Sequence, residues 1–150
     1  MKALIQRVSR ASVINNGSVL GHIQHGLLVL IGIQSDDTED DINYLAQKIV
    51  QMRLFSDEAG KMNLSLNEVN GQCLLVSQFT LMASTAKGNR PSFIQAAAPA
   101  IAIPIYEQFV ERIKTLCLNT VETGRFGADM QVELINDGPV TIIIDSKAKA

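Results

Sequence analysis

The sequence predicts an α+β fold, in which an antiparallel, barrel-like β-sheet has helices packed on its outside. Short apolar runs typical of strands alternate with hairpin turn signals such as Asn16-Gly17 and Asp137-Gly138, and these pairs accept the positive φ angles of a type I′ turn. Two other stretches, residues 42–53 and 93–117, have helical spacing or composition. A chain of 150 residues, 47% of them hydrophobic, can bury its core as one domain over residues 1–150.

The first half of the chain is predicted to alternate strands with one helix. A loose apolar alternation predicts a strand at residues 2–10. The continuous apolar run at residues 27–31 predicts a strand that is buried on both faces. Asp36 and Glu39 have the spacing of a capping box, so we expect Asp36 to cap a helix that ends near Arg53.

The middle of the chain is predicted to form two strands and a divided helical region. Residues 63–69 should form one strand, which turns back through Asn70-Gly71 into a second strand at residues 74–82. Pro99 and Pro104 interrupt the helical composition that follows. Because proline cannot donate a backbone hydrogen bond, we expect a short helix and then a long one from about Pro104.

The C-terminal part is predicted to form a hairpin. Strands at residues 130–135 and 140–145 flank Asp137-Gly138, a standard turn signal. The tail at residues 146–150 is expected to fray.

Charge and hydropathy exclude some functional classes. The net charge of −2 is unlike that of most nucleic-acid-binding domains, although Lys2, Arg7, Arg10, Lys87 and Arg90 could form a local patch instead of scattered surface charge. No apolar run approaches the roughly 20 residues of a membrane span. The charged N-terminal segment is unlike a signal peptide, so we expect no membrane association and a cytoplasmic location.

The cysteine and histidine content does not indicate a metal site. Cys73 and Cys117 are too few for a disulfide framework, have no zinc-ligand spacing, and are expected to be buried thiols. His22 and His25 lie three residues apart in a predicted strand region, which would put them on opposite faces. We therefore expect neither a metal nor another cofactor.

Ser77, Gln78 and Thr80 are the main candidate site residues. They place three hydrogen-bonding side chains directly after the apolar run Leu74-Leu75-Val76. Polar groups within a core strand must be paired or used for function. Two interpretations remain open from the pattern alone: a strand with one solvated face, or a functional site.

Four ordered motifs resemble those of the D-aminoacyl-tRNA deacylases, enzymes that hydrolyse the ester between a D-amino acid and tRNA. Ser-Gln-Phe-Thr-Leu at residues 77–81 resembles the signature of this family, and Gly138-Pro139 resembles its second motif. The opening segment at residues 1–8 and the segment Gly-Asn-Arg-Pro-Ser-Phe at residues 88–93 fit as well. The resemblance runs from Met1 to about Ser146.

The resemblance implies a homodimeric hydrolase that acts on aminoacyl-tRNA, with no DNA partner. It implies a cis bond at Gly138-Pro139, whose backbone carbonyls enter the active site of the partner subunit and exclude an L side chain. Glycine, which has no side chain, should then also be accepted. The resemblance further implies that Arg7 orients this motif and that Met130 contacts the substrate.

Two catalytic schemes follow for the motif at residues 77–80. The hydroxyls of Ser77 and Thr80 are candidate nucleophiles, but no base lies near them in sequence. In the scheme we prefer, the ribose hydroxyl beside the ester assists a water molecule. The backbone N–H groups of Gln78, Phe79 and Thr80 then stabilise the oxyanion, while Phe79 stacks near the terminal adenine. The alternatives are a non-catalytic barrel that binds RNA ends or nucleotides, and a dimeric protein-interaction module.

Overall fold

A bent, mixed β-sheet forms the centre of the structure, a computed structural model that describes residues 1–149. Two α-helices and a short 3₁₀ segment, Phe79–Met82, accompany the strands. In chain order the elements are β1 (Lys2–Asn15), β2 (Ser18–Ile23), β3 (Gly26–Gly32), α1 (Glu39–Gln51), β4 (Phe55–Ser56), β5 (Met62–Leu64), β6 (Gln72–Ser77), α2 (Pro99–Leu116), β7 (Val121–Thr123) and β8 (Gln131–Asp145).

The main sheet is nearly closed into a barrel. Its strand order is β2-β1-β3-β6-β7, and β8 pairs with the other edge of β1. The two ends of this order meet at Gly21 of β2, where a Cβ atom would lie 2.9 Å from the carbonyl oxygen of Thr123 in β7. Glycine at this position therefore allows the sheet to curl back on itself. The strands β4 and β5 form a separate hairpin.

The prediction of an antiparallel sheet is wrong, because the sheet is mixed. Strand β1 is antiparallel to β2, β3 and β8, but β3 pairs with β6 in parallel and β6 pairs with β7 in parallel. The connection from β3 to β6 contains α1, and the connection from β6 to β7 contains α2. A helical crossover carries the chain back to the end of the sheet at which the preceding strand began, so the next strand runs parallel to it.

Two hydrophobic clusters cover the two faces of the sheet. Leu28, Leu74 and Val76 belong to a cluster on one face, and Leu75 belongs to the larger cluster that α1 and α2 cover. Residues of both β3 and β6 alternate between the clusters, so these strands are buried on both sides as the continuous apolar runs predicted. Cys73 is buried in the larger cluster, and burial raises the pKa of its thiol.

The first helix begins two residues later than the sequence pattern predicted. The capping residue is Thr38, whose backbone N–H donates to the carboxylate of Asp41 at 2.8 Å. Asp36 is not the cap, because residues 34–37 form a turn in which the Asp37 N–H donates to the Gln34 carbonyl at 3.2 Å. The fold therefore uses a different pair of residues with capping-box spacing, Thr38 and Asp41.

The expected break at Pro104 is absent, and α2 is one helix. Pro99 occupies the first turn, where a missing N–H costs nothing. Pro104 removes one internal hydrogen bond, but Pro104 and Ala100 are both exposed, so water can hydrate the carbonyl that loses its partner. Phe109 and Ile113 are fully buried on the inner face, and their packing stabilises the helix across the proline.

The strand predicted at residues 63–69 is shorter than expected. Strand β5 ends at Leu64, and the chain then turns around Asn67. The Asn67 side chain donates to the Leu116 carbonyl at 2.9 Å and accepts from the Leu118 N–H at 2.9 Å. These tertiary hydrogen bonds hold a turn where the local pattern favoured a strand.

The start of the predicted frayed tail is instead packed. Ser146 is buried and donates to the Asp41 carboxylate at 2.6 Å, and Lys147 Nζ donates to the same carboxylate at 2.9 Å. Burial alone would raise the pKa of Asp41, but the hydrogen bonds from Ser146, Thr38 and Lys147 hold it well below its usual value. Position 150 lies outside the described residues. No helix in residues 1–149 combines the length and apolar character that a membrane span requires.

Candidate active site

The motif at residues 77–82 forms a sharp turn at the end of β6. The strand ends at Ser77, and the 3₁₀ segment follows instead of the strand that we predicted to continue to residue 82. The end of β3 provides the space for this turn, because a Cβ on Gly32 would lie 3.0 Å from both Leu81 Cβ and Met82 Cε. Met82 is buried and anchors the far end of the turn.

Within the turn, Gln78 and Thr80 are joined by a side-chain hydrogen bond. The amide Nε2 of Gln78 donates to Oγ1 of Thr80. An amide N–H is a donor and cannot take the proton of the hydroxyl. Among residues 1–149, no carboxylate or imidazole is hydrogen-bonded to the hydroxyl of Ser77 or Thr80. The structure therefore shows no general base for either hydroxyl.

The backbone N–H groups of the motif are not equivalent. The Gln78 N–H donates to the Ile31 carbonyl at 2.7 Å, so the expectation that it serves as an oxyanion donor is wrong in this structure. The N–H groups of Phe79 and Thr80 open the 3₁₀ segment and have no acceptor in the described part of the chain. Two potential donors remain.

A cavity of about 270 Å³ lies between the motif and the segment that leads into β8. Ser77, Gln78, Phe79 and Met130 all line it. The remaining lining residues are Val76, Phe126, Gly127, Ala128, Asp129 and Val132. Residues 126–129 were not predicted to belong to a site, although the glycines at positions 124 and 127 indicate a turn there.

Gly124 sets the position of the Met130 side chain. A Cβ on Gly124 would lie 2.7 Å from Met130 Sδ, much closer than a real Cβ approaches another atom. The absence of a side chain at Gly124 therefore lets the thioether of Met130, which lines the cavity, pack against the backbone. This dependence makes Gly124 a part of the site that sequence spacing alone could not indicate.

Phe79 presents an aromatic face at the mouth of the cavity. Its side chain is 56% exposed, which is unusual for phenylalanine. Its ring packs edge-on against Phe93, with 5.0 Å between ring centroids. One aromatic neighbour thus holds Phe79 while much of its surface stays open to a ligand.

Gly138 and Pro139 lie in a bulge of β8, and not in the hairpin that the sequence predicted. Asn136 pairs with Val8 and Thr141 pairs with Gln6, so four residues of β8 lie opposite the single residue Arg7 of β1. Strand β8 therefore continues along the same neighbour on both sides of the bulge. The peptide bond between Gly138 and Pro139 is cis, and Gly138 has a φ of +141°, which side chains rarely allow.

Arg7 holds this bulge in place. Its Nε donates to the Asp137 carbonyl at 2.8 Å, and its Nη1 donates to the Leu54 carbonyl at 2.7 Å. Asn136 supports the other side, since its Oδ1 accepts the Val140 N–H at 2.7 Å. The bulge is therefore tied both to the segment before β4 and to its own strand.

The structure separates the candidate residues into two groups. The first group lines the cavity and consists of Ser77, Gln78, Phe79 and Met130. Thr80 belongs with it, because its hydroxyl accepts a hydrogen bond from the Gln78 side chain. Gly138 and Pro139 are exposed elsewhere and do not line that cavity, while Arg7 and Asp137 border a different, smaller one. Within one chain, the two motifs do not form one site.

The comparisons with known proteins decide the family. Residues 4–145 match the family model described as D-Tyr-tRNA(Tyr) deacylase. D-aminoacyl-tRNA deacylases of Cytophaga hutchinsonii and Akkermansia muciniphila are 60% and 58% identical to this chain over 149 residues, with 99% of each chain covered. The chain belongs to the D-aminoacyl-tRNA deacylase family. It is thus a member of a family of hydrolases, as the motifs indicated.

Solved structures support the fold of this deacylase family member. One described as "c-Myc DNA Unwinding Element Binding Protein" is 42% identical, with a TM-score of 0.93 over 99% of this chain and 100% of that chain. A second, described as a probable eukaryotic D-amino acid tRNA deacylase, has a TM-score of 0.82 over 95% of this chain and 97% of that chain. At 16% identity, the second shows likeness of fold alone.

Proposed function

We propose that this family member hydrolyses the ester bond of D-aminoacyl-tRNA, and of mischarged glycyl-tRNA, at the cavity beside residues 77–80. The observation that carries the proposal is the combination of a motif hydroxyl without a base and two backbone N–H groups without acceptors. This arrangement suits an enzyme that positions its substrate and stabilises charge, and is less suited to one that attacks with its own side chain.

In the proposed reaction, the substrate assists its own hydrolysis. The ribose hydroxyl next to the ester orients a water molecule, whose oxygen attacks the carbonyl carbon. The N–H groups of Phe79 and Thr80 donate to the developing oxyanion. The ester C–O bond then breaks, the ribose oxygen leaves with a proton, and the amino acid departs as a free acid. Positioning of this kind can supply several kcal/mol of the required barrier reduction.

The cavity suits the terminal adenosine of tRNA. A volume of about 270 Å³ is slightly below the range of roughly 300–1,000 Å³ typical of small-molecule sites, so it fits a part of the substrate only. The exposed ring of Phe79 offers a stacking surface for the base, and Met130 offers a polarisable apolar wall. The amino acid would then lie outside the cavity, where a partner can inspect it.

Chiral selection is proposed to come from a second subunit. Gly138 and Pro139 are exposed and do not line the cavity of their own chain, so they can reach a bound substrate only in a dimer. Their strand, β8, pairs only with β1 among the described residues, and Ile135 and Ile143 on it are 47% and 70% exposed. A twofold contact along this strand would insert each bulge into the partner's site reciprocally. Backbone carbonyls there would block an L side chain and leave room for a D side chain or for glycine.

A deacylation assay with matched D-, L- and glycyl-tRNA tests the proposal. We expect release of free amino acid from the D and glycyl substrates, and retention of the L substrate. Binding of D-aminoacyl-tRNA without release of amino acid would instead identify a non-catalytic RNA-end-binding protein. Light scattering at micromolar concentration should show a dimer, and a fully active monomer would contradict selection by the partner subunit.

A further inference from the structure

Residues 84–92 form a closed loop beside the motif, which we call the basic loop. Ser84 and Ser92 exchange two backbone hydrogen bonds, each of 2.8 Å, and so close the base of the loop. Gly88 at its tip has a φ of +128°. The loop carries Lys87 and Arg90, and the function proposed above uses neither of them.

The charge around the basic loop differs from that of the rest of the chain. The protein has 15 acidic residues and a net charge of −2, yet no Asp or Glu lies between Glu68 and Glu107. Lys87 and Arg90 are the charged residues of that long stretch, and both are exposed. Neither forms an ion pair within residues 1–149, whereas Arg10 does so with Glu133. The loop is therefore a locally cationic surface on an acidic protein.

The basic loop also borders a second cavity of about 260 Å³. Both cations line it, together with Ser84, Ser92 and the 91%-exposed side chain of Ile94. Cations and hydroxyl groups are the side chains that hold phosphate oxygens, and an exposed apolar side chain can contact a base. Because no carboxylate of residues 1–149 lines this cavity, it suits the phosphates of a nucleic acid better than a protein partner, whose surface carries both positive and negative charges.

Two aromatic rings in contact connect the chain segments that line the two cavities. Phe79 lines the first cavity, and its ring packs on Phe93. Phe93 in turn lies in the chain between Ser92 and Ile94, which line the second cavity. Cationic side chains beside aromatic ones are the combination by which proteins bind single-stranded nucleic acid.

We propose that the basic loop binds the single-stranded nucleotides on the 5′ side of the terminal adenosine of tRNA. Lys87 and Arg90 contact backbone phosphates, and Phe93 with Ile94 supports a base. The inference rests on the proposed function, since it assumes that the terminal adenosine occupies the cavity next to Phe79. This binding would explain how a protein with a net negative charge holds RNA. Its positive charge is concentrated where it contacts the few nucleotides that must be positioned.

The test compares two double variants with equal loss of charge. Lys87→Ala/Arg90→Ala removes both cations of the loop, and Arg53→Ala/Lys61→Ala removes the same residue types near the β4–β5 hairpin. The dissociation constant of uncharged tRNA is measured for each at several salt concentrations. Two lost phosphate contacts should reduce the slope of log Kd against log salt by about 1.4, so that the affinity gained between 200 and 50 mM salt shrinks roughly sevenfold.

Steady-state kinetics on D-aminoacyl-tRNA provide a second readout. The loop variant should raise KM and leave kcat unchanged, because uniform binding is lost and the reacting groups are intact. The hairpin variant should match the parent in the salt slope and in KM. An unchanged salt slope in the loop variant would overturn the inference, and a simultaneous change from dimer to monomer would show that the loop packs on a second copy instead. Failure of the parent to release amino acid would refute the proposed function, while the tRNA binding data would still decide the role of the loop.

Discussion

The substitution Gly138→Ala tests the role of the bulge most sharply. An added Cβ would lie 2.8 Å from Val140 Cγ2, 3.0 Å from the Val140 backbone nitrogen and 3.0 Å from Arg7 Nη2. The backbone nitrogen cannot move away freely, and the guanidinium is held by its two carbonyl acceptors. The φ of +141° adds backbone strain for any residue other than glycine.

The loss of stability expected for Gly138→Ala follows from these contacts. Strain at such a φ costs about 1–3 kcal/mol. Displacement of Arg7 weakens a charged hydrogen bond, which contributes about 1.5–3 kcal/mol. A total of about 4 kcal/mol lowers the Tm of a domain of this size by roughly 8–16 °C. The bulge should also shift, so we expect loss of D-substrate turnover or of the rejection of L-substrates.

Gly60→Ala is the matched control. Gly60 also has a positive φ, +76°, but nothing lies within 4 Å of an added Cβ. The Gly60→Ala variant should therefore lose only about 1–2 kcal/mol of stability and keep its activity. Thermal unfolding and hydrolysis of D-, L- and glycyl-tRNA are measured for both variants beside the parent. If Gly138→Ala matches Gly60→Ala in stability, rate and chiral preference, the bulge has no part in selection.

Four further predictions address other parts of the structure. Arg7→Ala removes two hydrogen bonds to backbone carbonyls and should lower the discrimination between D- and L-aminoacyl-tRNA. Unchanged discrimination would show that Arg7 has no part in selection. Thr80→Ala should retain substantial activity, and a trapped aminoacyl ester on Thr80 would show that the residue is a nucleophile after all. Gly124→Ala should push the Met130 side chain into the cavity and raise KM, and the added substitution Met130→Ala should relieve this effect; no rescue would mean that the damage lies elsewhere. The carboxyl of Asp41 has a pKa below its unfolded value of about 3.9, so its contribution to stability is present above that pH and is lost as the pH falls towards the folded value. The stability of the parent should therefore fall more steeply with acid than that of Asp41→Asn. Identical pH dependence of unfolding would contradict the lowered pKa of Asp41.

The fold was predictable where a pattern reports on burial. The runs at residues 27–31 and 74–76 are apolar without interruption, and both lie in strands covered on two faces. Strand direction was not predictable in the same way. Nothing local distinguishes a parallel from an antiparallel apolar strand, since the direction depends on whether the chain returns through a hairpin or a helical crossover.

The site was predictable as residue types and only partly as geometry. The motif at residues 77–81 pointed to the turn that borders the cavity, but the Gln78 N–H is already bonded to Ile31, a partner far away in sequence. Residues 126–129 complete the cavity because the start of β8 passes the end of β6, a relation that no spacing in the sequence expresses.

The sequence by itself determined the family, the buried strands and the residue types of the motifs, because these follow from side-chain identity and local periodicity. Only the tertiary structure decided how the motifs are used. Asp137-Gly138 has the chemistry of a hairpin turn, yet the strand continues as a bulge because Arg7 on the neighbouring strand binds the Asp137 carbonyl. Pro104 can break a helix in isolation, but here buried packing on the opposite face outweighs one lost hydrogen bond. In each case a contact between distant residues was worth more than the local preference.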